Sequence, residues 1–140
     1  MGAQIISGSD IADEIRAEIK ESVKRLKEGS DVTPGLATVL VGENPASQMY
    51  VGMKNKAAAD LGINSRQITL AVDTSEDELL GVVAGLNADP GIHGILVQLP
   101  LPDHIDEGKV LEAIHPSKDV DGFHPINVGR LATDSGDFFA

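Results

Sequence analysis

Short, nearly unbroken apolar runs set between helical patterns constrain this chain more than any other feature. Leu36 to Val41 is Leu-Ala-Thr-Val-Leu-Val, and Gly94 to Leu99 carries Ile95, Leu96 and Val97 in succession. A strand with one wet face alternates apolar and polar residues, whereas a strand apolar on both sides must be covered on both. The residues between the runs have apolar positions three and four apart, the spacing of an amphipathic helix.

Read along the chain, Ile11, Ile15, Ile19, Val23 and Leu26 predict a first helix from about Asp10 to Lys27, capped by Ser9 or Asp10 and ended at Gly29. After the strand Leu36 to Val41, Asn44 suits an N-cap and Pro45 a first helical position, so a second helix is expected from Pro45 to Leu61, ended by Gly62. Arg66 to Val72 predicts a second strand. Ser75 and Glu78 form a capping box for a third helix, to about Asn87, with Leu79, Val82, Val83 and Leu86 facing inward. Gly94 to Leu99 is the third strand, stopped by Pro100 and Pro102. A short helix over Asp106 to Ile114, a loop from His115 to Asn127 and a polar tail complete the reading. The alternation implies an α/β fold of three αβα layers around a mostly parallel sheet. In such sheets ligands bind beyond the carboxyl ends of the strands, here Gly42 to Ser47, Asp73 to Ser75, and Gln98 to Asp103.

Composition narrows the chemistry. A length of 140 residues suits one domain, and a formal net charge of −11 opposes a nucleic-acid footprint or an anionic membrane surface. With no cysteine there is no thiolate nucleophile, disulfide framework or Cys-based zinc site. The opening residues, Met1 to Ile6, lack a basic segment followed by a long apolar run, and no stretch reaches membrane-spanning length, so a cytoplasmic protein is expected. His93, His104, His115 and His124 include no pair at helical metal-ligand spacing, so no metal site is expected. No Gly-rich dinucleotide fingerprint, phosphate-binding loop or nucleophile elbow occurs.

Three places remain for chemistry. Ser47, Tyr50 and Lys54 are spaced by three and four and share one helix face. A partly desolvated Lys54 there could move a proton or polarise a water, or be an ordinary solvated lysine. Gln98 is a lone amide in an apolar strand, so it needs partners, whether a lysine, a ligand or loop backbone. Asp119 and Asp121, in Lys118-Asp119-Val120-Asp121-Gly122, point the same way if the segment is extended. An Asp at that place could read the polar edge of a heterocycle, or cap the amides of a turn.

Three blocks in order resemble one family. They are Val41 to Ser47 with Tyr50, Val51 and Lys54 to Lys56; Gly94 to Pro102; and Pro116 to Phe123 with Pro125, Asn127, Gly129, Arg130 and Leu131. Together they resemble the bifunctional methylenetetrahydrofolate dehydrogenase/methenyltetrahydrofolate cyclohydrolase (FolD) family. The resemblance implies an amino-acid-dehydrogenase-like N-terminal domain that binds a folate substrate. It makes Lys54 the catalytic lysine, Gln98 its orienting partner and Tyr50 a ring that stacks on the folate. Asp121 becomes the reader of the pterin, Ser47 a hydroxyl at the same site, and Pro100 and Leu101 a loop packed on the ligand. One departure is Ser9, where the family usually has Lys.

The resemblance further implies a parent enzyme that is a homodimer and uses NADP, or NAD in some members. Residues 1–140 would be its folate-binding catalytic domain, without the dinucleotide-binding domain or the helix that returns from it. The other readings are a folate-binding module without turnover and a purely structural or partner-binding α/β domain. The expected consequence of the missing half is an apolar patch and self-association, and sedimentation showing a monodisperse monomer would count against it.

Overall fold

The computed structural model describes residues 6–135, so the readings of Met1 to Ile5 and of Phe138 to Ala140 concern residues outside those described. The elements in order are α1 (Gly8–Ser30), β1 (Gly35–Val41), α2 (Pro45–Asp60), β2 (Asn64–Leu70), α3 (Glu76–Ala88), β3 (Gly94–Val97), α4 (Glu107–Ala113) and α5 (Pro125–Thr133). The strands form one parallel sheet in the order β2-β1-β3. The expected α/β architecture is therefore present, with β1 central.

β1 is apolar throughout because both of its faces are covered. Ala37, Val39 and Val41 join Ile95 and Val97 on one face, packed against Leu79, Val83 and Leu86 of α3 and Val110 of α4. Thr38 and Leu40 point to the other face, where α2 packs on β1 and buries Val51 and Ala58. Each fully buried Val or Leu contributes on the order of 1.5–3 kcal/mol, so this double-sided burial dominates the stability of the domain.

The predicted capping box forms as read: Ser75 Oγ accepts from the Glu78 amide at 3.3 Å, and the Glu78 carboxylate accepts from the Ser75 amide at 2.9 Å. Other boundaries differ from expectation. α1 is capped by Ser7, not Ser9 or Asp10, and it runs past Gly29 to end where Asp31 turns left-handed at φ 55°. β2 begins two residues early and ends at Leu70, because pairing with β1 runs from Gly35 with Asn64 to Val41 with Leu70. Val72 lies beyond that ladder and is exposed.

Two larger corrections concern the ends. The stretch read as loop and polar tail contains α5, whose first position is Pro125 and whose N-cap, His124, accepts from the Ile126 amide at 3.1 Å. Proline at a first helical position announced α2 correctly, and the same signal at Pro125 announces α5. The helical stripe of α1 exists, yet only Val23 of it is buried, against Gly62 at the end of α2. Ile11, Ile15, Ile19 and Leu26 keep between 38% and 50% of their surface exposed.

The segment after α4 covers the β3 edge of the sheet. The Ile95 amide donates to the Lys118 carbonyl at 2.7 Å, and Ile95 bridges Asp119 in parallel fashion. Gly94 permits this approach, since a Cβ there would lie 2.5 Å from Val120 Cγ1. An edge covered in this way cannot template further strands.

Thr38 is completely buried, and its hydroxyl oxygen has no hydrogen-bond partner among the described residues. Thr38→Val keeps the shape and removes the orphan polar atom. It is expected to stabilise the domain by about 1 kcal/mol, seen as a higher urea midpoint with an unchanged slope.

Candidate active site

The turn after β1 determines where α2 starts. Gly42 adopts φ 82°, and its amide donates to the Leu70 carbonyl at 2.9 Å, tying the ends of β1 and β2 together. Asn44 Oδ1 then accepts from the amides of Ala46 at 3.0 Å and Ser47 at 3.2 Å, while Pro45 occupies the first helical position. The helix thus begins at the carboxyl end of the sheet and carries Ser47, Tyr50 and Lys54 back along one face. Ser47 is buried at the start, Tyr50 is 54% exposed one turn before the lysine, and Lys54 is half-buried.

Lys54 Nζ donates to Gln98 Oε1 at 3.2 Å. Gln98 lies one residue past β3, where its amide still donates to the Val39 carbonyl at 2.8 Å. Its side-chain Nε2 donates to the Leu99 carbonyl at 2.8 Å. Because the NH₂ end is held by a carbonyl, the oxygen end is the one presented to the lysine. One of the three ammonium hydrogens is used in this way, and Nζ has no other acceptor among the described residues. The arrangement is a lysine aimed by an amide at the mouth of the sheet.

The third group comes from the loop along β3. Asp121 is half-buried. Burial pushes its carboxyl above the usual aspartate range; the positive charge of Lys54 opposes that shift, and the negative charge of Asp119 adds to it. Lys54 and Asp121 therefore sense each other across the site. Asp119 has a different job. It is 4% exposed, and its carboxylate accepts from the amides of Gly122 at 3.0 Å, Phe123 at 3.4 Å and His124 at 2.9 Å, and from Asn127 Nδ2 at 2.9 Å. Lys118 Nζ donates to the carbonyls of Leu86, Asn87 and Asp89, at the end of α3, where carbonyl groups lack helical partners. The sequence left open whether an aspartate here reads a ligand or caps the amides of a turn, and Asp119 is the one that caps the turn. It gave no role to Lys118, whose partners lie about thirty residues away, or to Asn127.

The loop after Gln98 divides between solvent and core. Pro100, which follows a cis peptide bond, is exposed. Leu101 points inward to join the core cluster, and its amide donates to Glu107 Oε1 at 2.8 Å. Among the described residues no group of three or more His, Asp or Glu side chains could hold a metal ion, and no helix is long and apolar enough to cross a membrane. At the helix starts nearest the strand ends, Asn44 takes the amides of Ala46 and Ser47, and Ser75 takes that of Glu78.

In open α/β sheets ligands bind beyond the carboxyl ends of the strands, and that is where Lys54, Gln98 and Asp121 lie. Comparison with known proteins gives the family. Residues 6–121 match the model of the tetrahydrofolate dehydrogenase/cyclohydrolase catalytic domain, and the chain belongs to that family. It is 57% identical to a bifunctional protein FolD of Magnetococcus marinus over 97% of its own length, and 62% identical to one of Pelobacter propionicus over 93%. The match covers 48% and 46% of those proteins, so the chain spans about half the length of these relatives. Among solved structures, the bifunctional enzyme FolD of Campylobacter jejuni superposes with a TM-score of 0.90 at 48% identity, covering 93% of this chain and 46% of that one. The Trypanosoma brucei methylenetetrahydrofolate dehydrogenase-cyclohydrolase, solved with NADP and an inhibitor, gives 0.88 at 39% identity, covering 94% and 45%.

The raised carboxyl of Asp121 has a signed consequence for stability. The fold favours its protonated form, so stability from this group is complete below the ordinary aspartate range. It falls as pH rises through that range toward the raised value. Asp121→Asn cannot ionise. It is expected to be more stable than the unsubstituted chain at pH 7, with the advantage vanishing below roughly pH 4, as urea unfolding at the two pH values would show.

Proposed function

We propose that this chain is the folate-binding catalytic domain of a methylenetetrahydrofolate dehydrogenase and methenyltetrahydrofolate cyclohydrolase acting in one-carbon metabolism in the cytoplasm. The observation that carries the reading is the bond from Lys54 Nζ to Gln98 Oε1 at the mouth of the sheet. In the hydrolysis of the 5,10-methenyltetrahydrofolate cation, a water oxygen bonds the methenyl carbon and one water proton is released to solvent; the bond from that carbon to N5 then breaks, the second water proton passes to N5, and the oxygen becomes the formyl carbonyl. The product is 10-formyltetrahydrofolate. Lys54 is the group that polarises the water and shuttles the proton. Gln98 keeps the ammonium aimed at the reacting carbon, where small displacements are costly.

The other roles are those the family resemblance implies, and the placement of the residues supports them. Tyr50, exposed one turn before Lys54, offers a ring face for the pterin to stack on. Asp121 reads the pterin's N–H groups, and its half-burial strengthens those bonds. Ser47 and Pro100 border the same mouth. Leu101, buried in the core, acts on the ligand by anchoring the loop that carries Pro100.

The dehydrogenase reaction passes a hydride to a nicotinamide cofactor. No Gly-rich dinucleotide fingerprint lies in the sequence, and Asn44 already takes two of the first amides of α2. NADP, seen in the Trypanosoma brucei relative, would be held by residues beyond this half-length match, as would the contacts of a homodimer. A second reading has its own support: Tyr50 is 54% exposed, so the site as it stands is open to water. In that reading the 140-residue chain binds folate without turning it over.

The test is the loss of 5,10-methenyltetrahydrofolate absorbance with the chain and with Lys54→Met. Turnover is expected, and a general acid-base lysine predicts a drop of roughly 100-fold or more in the variant. Binding without turnover would favour the module, and neither binding nor turnover would remove the folate reading altogether.

A further inference from the structure

The Asp119 carboxylate is bound by four N–H donors, and three of them belong to the residues just after Asp121. Oδ1 takes the amides of Gly122 and Phe123, and Oδ2 takes the amide of His124 together with Asn127 Nδ2. Gly122 turns left-handed at φ 72°, which lets the chain fold back over the carboxylate. On the other side of Asp121 the chain is held equally firmly. The Lys118 carbonyl accepts from Ile95, Asp119 bridges Ile95, and Val120 packs against Gly94. Asp121 is thus held by its neighbours in both directions.

We infer that Asp119 is a positioning residue, whose buried carboxylate gathers the turn after it and so sets where the Asp121 carboxylate stands opposite Lys54. The inference rests on the reading in which Asp121 grips the ligand. The chemistry requires a carboxylate. Two oxygens with no hydrogens can face four donors, whereas an asparagine would point its NH₂ group at N–H groups that need acceptors. The bonds reach no further than eight residues along the chain, so they shape the turn without holding the sheet. The core cluster that holds the sheet includes neither Asp119 nor Val120. Asp119 is also a like charge beside Asp121 and contributes to the raised carboxyl there, which places the two groups in one electrostatic unit.

The experiment is calorimetric titration of the chain with 5-formyltetrahydrofolate, a stable reduced folate, for the unsubstituted protein, Asp119→Asn, Asp121→Asn and the double variant. Circular dichroism of each reports the fold. Asp119→Asn is expected to weaken binding about tenfold on its own and to add little in the Asp121→Asn background, because it acts through Asp121. Equal binding by Asp119→Asn overturns the inference. So does the same loss in both backgrounds, which is the signature of a merely structural role. Should Asp119→Asn not fold, Asn127→Ala, which removes one of the four donors, carries the same comparison. No binding by the unsubstituted chain would overturn the functional reading and this inference with it.

Discussion

The site depends on the register between β1 and β3. Leu36 pairs with Gly94, Thr38 with Leu96, and Val39 with Val97, so Gln98 follows Leu96 onto the face that α2 covers. Side chains alternate along a strand, and a slip of one residue would send Gln98 into the apolar layer under α3 and α4. Lys54 would then lose its partner, and a buried amide would lie among Leu79, Val83 and Val110. The apolar residues on both faces forbid that slip, so the burial that stabilises the sheet also aims the lysine.

Two aspartates two residues apart take opposite roles because their surroundings differ. Asp119 is surrounded by N–H donors and behaves as part of the backbone scaffold. Asp121 is half-buried, and among its neighbours only Lys54 offers it a favourable charge, so burial still raises its carboxyl. A carboxylate held ready in this way costs the folded state some stability. Such costs are common where a group is kept for binding and not for packing.

α1 shows the limit of local pattern. Its apolar spacing is as regular as that of any helix in the chain, and it forms, yet most of the stripe faces solvent. A helix of this amphipathic kind ordinarily seeks a partner surface. The relatives are about twice as long as this chain, and the Campylobacter jejuni structure superposes over 93% of it.

Much of the architecture was legible because it is written in short-range signals. The runs at Leu36 and Gly94, the capping box at Ser75 and the Asn44-Pro45 start of α2 are each encoded within a few residues, and each formed. The grouping of Ser47, Tyr50 and Lys54 on one face was legible for the same reason, since helix geometry is local. What the chain alone did not disclose were contacts between residues far apart in sequence. The ends of β2 were decided by pairing with β1, whereas α5 carried a local signal at Pro125 that the reading of a loop and polar tail missed. The triple capping of α3 by Lys118 spans about thirty residues. The sequence by itself determined the three strands, the helices from α1 to α4 and the shared face of Ser47, Tyr50 and Lys54. Only the tertiary structure decided that Gln98 holds Lys54 and that Asp119, not Asp121, closes the turn. Those outcomes depend on register and burial, and both are properties of the packed sheet.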